Sequence, residues 1–259
     1  MEYSYYKIDP TGNITAIVET SAERNKQSRI AGLIMAADTT IEQVGFLEKP
    51  QGEAAVRLQM MGGEFCGNAS ISAAALMACK SGIDSGNITL EVSGADEPLC
   101  VKVQMLCDNT FLGTVAMPLP VGIETACFGS LKLPVVRFPG ISHVICDSSL
   151  SVSDAEANIR SWCEELQADA LGLMFLDGDR LKPYVYVRST DTAVWESSCA
   201  SGSTACAAYL AAKAGASQTV ALQNPCGELR IKAELIDGAL VSLLLTGSAE
   251  IMGKHLICT

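Results

Sequence analysis

Two cysteines occupy matching positions in the sequence, each among small residues and directly before an alanine-rich run. The first is Cys66 in the segment Glu64–Ala69, and the second is Cys199 in the segment Glu196–Thr204. Alanine-rich runs predict helices, so we expect each cysteine at a helix N-terminus. The free amides and the dipole of a helix N-terminus attract anions. The pattern therefore predicts two thiols that face each other across a cleft, with one small molecule between them.

A pair of thiols on opposite sides of one carbon could remove a proton from one face of that carbon and add a proton to the other face. One thiol would start as the thiolate and remove a proton, while the other would start protonated and donate one. A free cysteine has a pKa of about 8.5, and we expect a helix N-terminus to lower it. Taken singly, each cysteine could be a small buried residue, because the chain has eleven. The matched surroundings favour the chemical interpretation.

The composition argues against several classes of function. The chain has 259 residues, a formal net charge of −11 and 49% hydrophobic residues, which fits one large domain or two smaller ones. The acidic balance argues against nucleic acid and anionic membranes as partners, but not against an anionic small molecule. No apolar stretch reaches about 18 residues, and the N-terminus lacks a secretory signal, so we expect a cytoplasmic protein without a membrane span.

The cysteines and histidines do not indicate a metal site. The cysteines show no CxxC spacing, and the histidines are only His143 and His255. Zinc sites need ligands at short, regular spacings, so we predict no bound metal. Most cysteines are then expected to be small buried residues of a protein in a reducing compartment. We interpret His143 as a core histidine whose nitrogens have partners.

Sequence patterns predict a chain rich in strands, with four helices. Strands are expected at 3–8, 14–19, 42–47, 55–60, 88–92, 99–106 and 111–117, and then at 133–138, 142–147, 171–176, 183–188, 218–222, 229–236 and 240–245. Helices are expected at 22–37, at 68 to about 80 before Gly82, at 153–167 with Ser153 as N-cap, and at about 203–214 before Gly215.

The surroundings of the two cysteines share a spacing that suggests an internal duplication. Cys66 precedes Gly94 by 28 residues (94 − 66), and Cys199 precedes Gly227 by the same number (227 − 199). Each glycine is followed by an alternating run typical of a strand.

The duplication predicts two similar domains. The first covers residues 1–119 and carries Cys66, and the second covers residues 120–249 and carries Cys199. A final strand at about 250–259 is expected to pack back on the first domain. Pockets favour domain interfaces, so we expect the site between the two domains.

Four motifs in this order resemble those of the diaminopimelate epimerase-like, cofactor-independent amino-acid racemases. They are Thr11-Gly12-Asn13, Phe65-Cys66-Gly67-Asn68-Ala69, Trp195-Glu196 before Cys199, and Leu245-Thr246-Gly247-Ser248-Ala249. The resemblance covers nearly the whole chain. It implies an α+β fold of two pseudo-symmetric β-barrel-like domains, each with a central helix, and an active site in the cleft between them. It also implies an isomerase that uses no cofactor and forms a homodimer.

The resemblance implies a role for each residue that matches a family motif. Asn13, Gln43 and Glu196 would hold the substrate ammonium. The backbone amides that follow the catalytic cysteines would hold the carboxylate. The catalytic residues are then Cys66 and Cys199, and the substrate-binding residues are Asn13, Gln43, Gly67, Asn68, Glu196, Ala200 and Ser201. We interpret Glu42 and Glu64 as structural.

Within the family the sequence resembles most the histidine racemase branch, which feeds opine-type metallophore synthesis. The segments that show this resemblance are Glu42–Phe46, Gly63–Asn68 and Trp195–Gly202. The positions that hold the far end of diaminopimelate in the epimerase differ here, as where Ser197 stands in place of an arginine. The resemblance thus argues against diaminopimelate and for a shorter amino acid, with conversion of L-histidine to D-histidine as the expected reaction.

Three other functions remain open from the sequence. The first is a racemase or epimerase of another amino acid, diaminopimelate included. The second is an isomerase of the phenazine-biosynthesis type, although those lack the paired cysteines. The third is an amino-acid-binding protein without catalysis, because binding needs the helix N-termini but not two thiols.

Overall fold

The computed structural model describes residues 2–147 and 150–258, which form two compact units. The first unit comprises the described residues up to Ala116 and those from Thr246 onward, and the second is Met117–Leu245. Both units combine helices with many strands, which confirms the predicted α+β class. Within the described ranges, no helix has the length and apolar character needed to cross a membrane.

The helices and strands follow each other along the chain in a repeating order. Up to Ala116 they are β1 (Glu2–Asp9), β2 (Thr15–Val18), α1 (Arg24–Ala37), β3 (Gln43–Glu48), β4 (Val56–Met60), α2 (Gly67–Ser81), β5 (Ser85–Val92), β6 (Leu99–Cys107) and β7 (Thr110–Ala116). Beyond it they are β8 (Gly122–Phe128), β9 (Leu131–Phe138), β10 (Ile141–Cys146), α3 (Val152–Glu165), β11 (Ala170–Asp177), β12 (Arg180–Val187), β13 (Thr192–Trp195), α4 (Ala200–Ala214), β14 (Gln218–Asn224), β15 (Gly227–Ile236) and β16 (Ala239–Cys258).

The strands of the first unit pair in the order β1-β2-β3-β4-β5-β6-β7-β16, and β16 also pairs with β1. The β1–β16 pairing is antiparallel and runs from Glu2↔Cys258 to Asp9↔Glu250. The pairs β2–β3 and β4–β5 are parallel, and they are connected through α1 and α2 respectively. The helix α2 packs against β2, β5, β6 and β7 of this unit.

The second unit repeats this succession of pairings. Its strand order is β16-β15-β14-β12-β11-β10-β9-β8, with β13 added to β12. The pairs β10–β11 and β12–β14 are parallel, and their connections contain α3 and α4. The helix α4 packs against β9, β10, β11, β14 and β15. In each unit the second helix therefore lies against the strands on several sides.

The helices differ in how much of their surface is buried, and their sequences account for it. In α2 and α4 alanine, serine and glycine make up most of the length, and both helices are buried around nearly their whole circumference. The other two bury one stripe: α1 packs Ile30 and Ile34 against β3, and α3 packs Ile159 and Trp162 on the core of the second unit. Small side chains are what allow α2 and α4 to approach the strands closely.

The structure corrects several expected boundaries. The N-cap of α3 is Ser151, whose Oγ accepts a hydrogen bond from the Asp154 amide, so Ser153 was the wrong choice. The sequence contains two overlapping capping patterns, and the earlier one is used. The strands β8 and β13 were missed, because half-exposed β8 lacks clear alternation and β13 has only four residues. The predicted helix ends at Gly82 and Gly215 are confirmed, and both glycines adopt left-handed backbone angles.

Candidate functional site

Cys66 is the N-cap of α2, which confirms its predicted place at a helix start. Its backbone is extended, and its Sγ accepts a hydrogen bond from the Ala69 amide at 3.4 Å. The Ser70 hydroxyl donates to the Cys66 carbonyl at 2.7 Å. The sulfur thus takes the position that a serine or aspartate oxygen occupies in ordinary caps. It lies beside the helix amides that have no intrahelical partner.

Cys199 is the N-cap of α4 in the same conformation. Its Sγ accepts a hydrogen bond from the Gly202 amide at 3.3 Å. A Cβ on Gly202 would lie 3.1 Å from that sulfur and 2.1 Å from Met174 Sδ, so a glycine is needed at this close approach. This helix begins at Ala200, three residues before the predicted start, so Ala200 and Ser201 form its first turn.

The turn that follows β5 holds the segment before Cys66. Ser93 Oγ donates to the Glu64 carbonyl at 2.8 Å and accepts from the Met60 amide at 2.9 Å. Gly94 has a φ of +72°, and a Cβ there would lie 2.3 Å from the Phe65 nitrogen. The glycine is therefore required both by its backbone angle and by contact with the neighbouring chain.

The turn that follows β14 holds the segment before α4 in an equivalent way. Asn224 Oδ1 accepts a hydrogen bond from the Cys199 amide at 3.1 Å, and its Nδ2 donates to Ser203 Oγ at 3.2 Å. The Cys226 amide donates to the Ser197 carbonyl at 3.1 Å. Sequence analysis did not assign a role to Ser93 or Asn224. The equal 28-residue spacings were the signal that pointed to these turns.

Five predicted residues of the first unit meet at the start of α2. The thiol of Cys66 donates to Gln43 Oε1 at 3.1 Å. The Gln43 amide nitrogen donates to Asn13 Oδ1 at 2.5 Å, and Asn68 Nδ2 donates to the same oxygen at 3.2 Å. Gly67 begins the helix and is buried. Glu42, interpreted as structural, belongs to this network because it accepts from Asn13 Nδ2 at 2.6 Å.

The predicted residues of the second unit lie around Cys199. Ser201 Oγ is 3.6 Å from Cys199 Sγ, and Ala200 is buried. Glu196 follows β13 and is half-buried, and its amide donates to the Pro183 carbonyl at 3.0 Å. Its carboxylate acts on the Cys199 thiol through charge and a hydrogen bond.

The two thiols do not have the lowered pKa that a helix N-terminus alone predicts. Burial raises the pKa of Cys66 to about 11, although hydrogen bonds from the Ala69 and Asn68 amides act in the opposite direction. Burial and the Glu196 charge raise the pKa of Cys199 well above its usual value. The sequence-based expectation was wrong in its net direction, because burial disfavours the thiolate more than the amides stabilise it.

His143 on β10 is buried, as expected, but the expected partners are absent. Neither ring nitrogen has a hydrogen-bond partner among the described residues, and burial lowers its pKa to about 3. Gly172 lies opposite in the register with β11, and a Cβ there would be 2.4 Å from His143 Nδ1. The ring is therefore neutral and tightly enclosed.

Over the described ranges, no group of three or more His, Cys, Asp or Glu side chains is placed to hold a metal ion. The chemistry that the site offers is that of thiols, amides and helix N-termini. Each thiol can donate or accept one proton, and the first-turn amides of each helix can bind an anion.

Comparison with known proteins gives matches along nearly the whole chain. The family model described as histidine racemase CntK N-terminal domain matches residues 2–255. A histidine racemase of Fusobacterium nucleatum subsp. nucleatum is 36% identical over 217 residues, which cover 80% of each chain.

Two solved structures share the fold at low sequence identity. A hydroxyproline epimerase from Agrobacterium vitis, with bound trans-4-OH-L-proline, gives a TM-score of 0.69 at 12% identity and covers 99% of this chain and 92% of its own. A phenazine biosynthesis protein of the PhzF family from Bacillus anthracis gives 0.72 at 12% identity and covers 100% and 99%. Both kinds of enzyme share this fold, so the sequence matches decide the family.

Proposed function

The chain belongs to the histidine racemase family of that domain model, and from this premise we propose that this amino-acid racemase converts L-histidine to D-histidine with Cys66 and Cys199 as its two bases. The observation that carries the proposal is the pair of cysteine N-caps. Each cysteine precedes a buried helix, and each sulfur accepts a hydrogen bond from the backbone amide three residues further along the chain.

The first-turn amides would bind the substrate carboxylate. They belong to Gly67 and Asn68 on α2 and to Ala200 and Ser201 on α4. A helix N-terminus carries about half a positive charge, so it stabilises the negative charge that develops when the Cα proton leaves. Removal of one such donor from an oxyanion site typically costs about 3–4 kcal/mol of transition-state stabilisation. Asn13, Gln43 and Glu196 would hold the ammonium.

Inversion at Cα would take two proton transfers. The thiolate of one cysteine takes the Cα proton, and the electron pair that is left on Cα spreads into the carboxylate. The S–H of the other cysteine then gives its proton to the opposite face of Cα and becomes the thiolate. After one turnover the two cysteines have exchanged protonation states. The proposal requires the two sulfurs to lie on opposite sides of one substrate carbon.

The test follows L-histidine and D-histidine in D₂O by chiral chromatography and by loss of the Cα proton signal. Cys66→Ser and Cys199→Ser are each expected to lower racemisation at least about 10²-fold, because a serine hydroxyl is a much weaker proton donor and acceptor. Matched controls are Cys79→Ser on α2 and Cys206→Ala on α4, which should keep normal rates. Racemisation near the normal rate in either test variant would overturn the two-base proposal.

The substrate assignment is tested by a panel of L-amino acids that includes histidine and diaminopimelate. Histidine is expected to give the largest kcat/KM. A larger value for diaminopimelate would replace the substrate and leave the two-thiol chemistry intact.

We also propose that the reaction needs no cofactor. Activity is then expected to survive dialysis against EDTA and treatment with hydroxylamine, which traps pyridoxal phosphate. Loss of activity with either reagent, restored by metal or by pyridoxal phosphate, would contradict this part.

The remaining expectations from the family resemblance stand as parts of the same proposal. The halves 1–119 and 120–249 would form pseudo-symmetric, barrel-like domains, and two chains would form a homodimer, which light scattering can test. The free thiols suit a reducing cytoplasm. The D-histidine product would feed the synthesis of an opine-type metallophore.

A further inference from the structure

The hydrogen bonds that lead from Glu42 to Cys66 have only one possible direction. A carboxylate accepts hydrogen bonds and donates none, so the Asn13 atom that lies 2.6 Å from Glu42 Oε2 must be the amide nitrogen. The amide oxygen of Asn13 therefore points the other way. There it accepts from Gln43 Nε2 at 2.5 Å and from Asn68 Nδ2 at 3.2 Å.

The orientation of Gln43 is fixed twice. Its nitrogen must face Asn13 Oδ1, as the preceding contact requires. It also donates to Thr15 Oγ1 at 2.7 Å. The Thr15 hydroxyl itself donates to the Asn13 backbone carbonyl at 2.9 Å, so toward Gln43 it can only accept. The remaining atom of the Gln43 amide, Oε1, therefore faces Cys66 Sγ at 3.1 Å. An oxygen in this place accepts from a thiol and repels a thiolate.

We infer that Glu42 is a positioning residue: through Asn13 it turns the Gln43 amide oxygen toward Cys66 and so keeps Cys66 protonated in the free enzyme. This rests on the proposed function, in which Cys66 is one of the two bases.

Other groups around Cys66 act on the same proton. Burial and the charge of Glu64 favour the thiol, whereas the amides of Ala69 and Asn68 stabilise the thiolate. A hydrogen bond from Gln43 would lower the pKa of Cys66 as well, but only if Gln43 were the donor, and its nitrogen is already used on Asn13 and Thr15. Glu64 lies on the exposed segment before α2, while Glu42 is half-buried at the far end of the amide chain. The influence of Glu42 is therefore expected to pass through the orientation of Gln43.

The effect does not appear as a preference for one enantiomer. The equilibrium constant of racemisation is one, so kcat/KM must be equal in the two directions whatever the state of each thiol. The protonation of Cys66 itself is the quantity to measure.

The experiment measures the alkylation of Cys66 by iodoacetamide as a function of pH, with mass spectrometry that separates Cys66 from Cys79 on the same peptide. Glu42→Gln replaces a pure acceptor with an amide that can also donate. Asn13 and Gln43 can then turn over, and Gln43 can offer its nitrogen to the thiolate. The pH at half-maximal alkylation is expected to fall by about 1 unit, as for a gained charge-assisted hydrogen bond.

The control separates orientation from loss of a negative charge. In a Gln43→Leu background there is no amide to turn, so Glu42→Gln is expected to leave the alkylation midpoint unchanged. A shift of equal size in that background would mean that Glu42 acts by its charge alone, which overturns the inference. If Glu42→Gln does not fold, Glu42→Asp serves instead, because its shorter side chain keeps the charge but moves the carboxylate away from Asn13 Nδ2. The alkylation midpoint of that variant should also fall. An unchanged midpoint in the folded variant overturns the inference.

Failure of this inference can be told apart from failure of the proposed function. Alkylation is measured without substrate, and the role of Cys66 is measured by racemisation in Cys66→Ser. If Cys66→Ser abolishes racemisation while Glu42→Gln leaves the midpoint unchanged, the two-base function stands and the positioning role falls. If Cys66→Ser remains active, the function falls whatever the midpoint does.

Discussion

At the scale of single residues, the two N-cap cysteines have similar backbones and different surroundings. The half-buried Cys66 donates a hydrogen bond to the Gln43 amide oxygen, and the charge of Glu64 raises its pKa. The fully buried Cys199 is affected by the Glu196 carboxylate. The two thiols are therefore expected to ionise at different pH values.

In the proposed two-base reaction, the raised pKa values of the two thiols set the pH dependence. Below its pKa a thiol is protonated, and both thiols have values raised above those of free cysteine. At pH 7 only a small fraction of the free enzyme then holds the required thiolate. We expect kcat/KM for histidine to rise steeply, up to about tenfold per pH unit, between pH 7 and 8.5. A flat or falling profile in this range would show that a thiolate already exists at neutral pH.

The amide of Asn224 is expected to set the position of Cys199. Asn224→Ala leaves the buried Cys199 amide without its acceptor, which costs about 1–3 kcal/mol in the free energy of unfolding. Because the thiol moves with its backbone, kcat should fall at least about tenfold with a smaller change in KM. Asn158→Ala, at a half-buried asparagine on α3 far along the chain from Cys199, is the control. Normal kcat in a destabilised Asn224→Ala enzyme would limit Asn224 to a structural role.

At the scale of elements, the helix start at Cys66 and the helix start at Cys199 are each held by the end of the next strand in sequence and the turn after it. Gly94 lies against Phe65 in the first unit, and Asn224 and Cys226 bind the chain before α4 in the second. The two turns recur with equal spacing from the cysteines, although their contacts differ in chemistry. Strand–turn contacts of this kind fix the position of a helix N-terminus more firmly than the helix can alone.

Gly94→Ala tests this arrangement. Its Cβ would lie 2.3 Å from the Phe65 backbone nitrogen, so the segment before Cys66 must move. Gly140→Ala is a matched control, because Gly140 also has a left-handed φ of +82° but nothing within 4 Å of its Cβ. We expect the control to lose about 1–2 kcal/mol of unfolding free energy in urea, and Gly94→Ala to lose more and to lose racemisation. Equal losses would show that the contact with Phe65 does not matter.

The elements also show what the sequence could predict. The placement of Cys66 and Cys199 at helix starts and the helix ends at Gly82 and Gly215 could be predicted, because alanine-rich runs and capping glycines are local signals. The first residues of α3 and α4 were predicted less well. The hydrogen-bond network from Glu42 to Cys66 could be only partly predicted from the sequence, since it joins residues from β3, the β1–β2 turn and α2. Which carboxylate faces which amide depends on strand register, and a single sequence does not contain that. The raised thiol pKa values were missed for a related reason, because they depend on burial by distant segments.

At the scale of the whole molecule, His143 makes the stability of the fold depend on acid. Its folded pKa of about 3 is below the ordinary value of about 6.5, because the ring is buried and its nitrogens have no hydrogen-bond partner in the described part of the chain. The stabilising effect of the neutral ring is fully present above pH 6.5 and is lost as the pH falls toward 3. The loss reaches about 1.4 kcal/mol per pH unit within that window.

His143→Leu removes this ionisation and is expected to move the acid-unfolding midpoint, followed by circular dichroism, to lower pH. The exposed His255 provides the control, and His255→Leu should leave the midpoint unchanged. If His143→Leu unfolds at the same pH as the unmodified protein, other groups determine acid unfolding.

The strand β16 imposes an order on the folding of the newly synthesised chain. It pairs with β1 over residues 250–258 and with β7, both of which leave the ribosome more than 100 residues earlier. Until β16 has been translated, one edge of β1 and one edge of β7 lack the strand with which they pair in the folded protein. Unpaired edges readily join other chains, so the nascent first unit must be kept from aggregation while the second unit is being made.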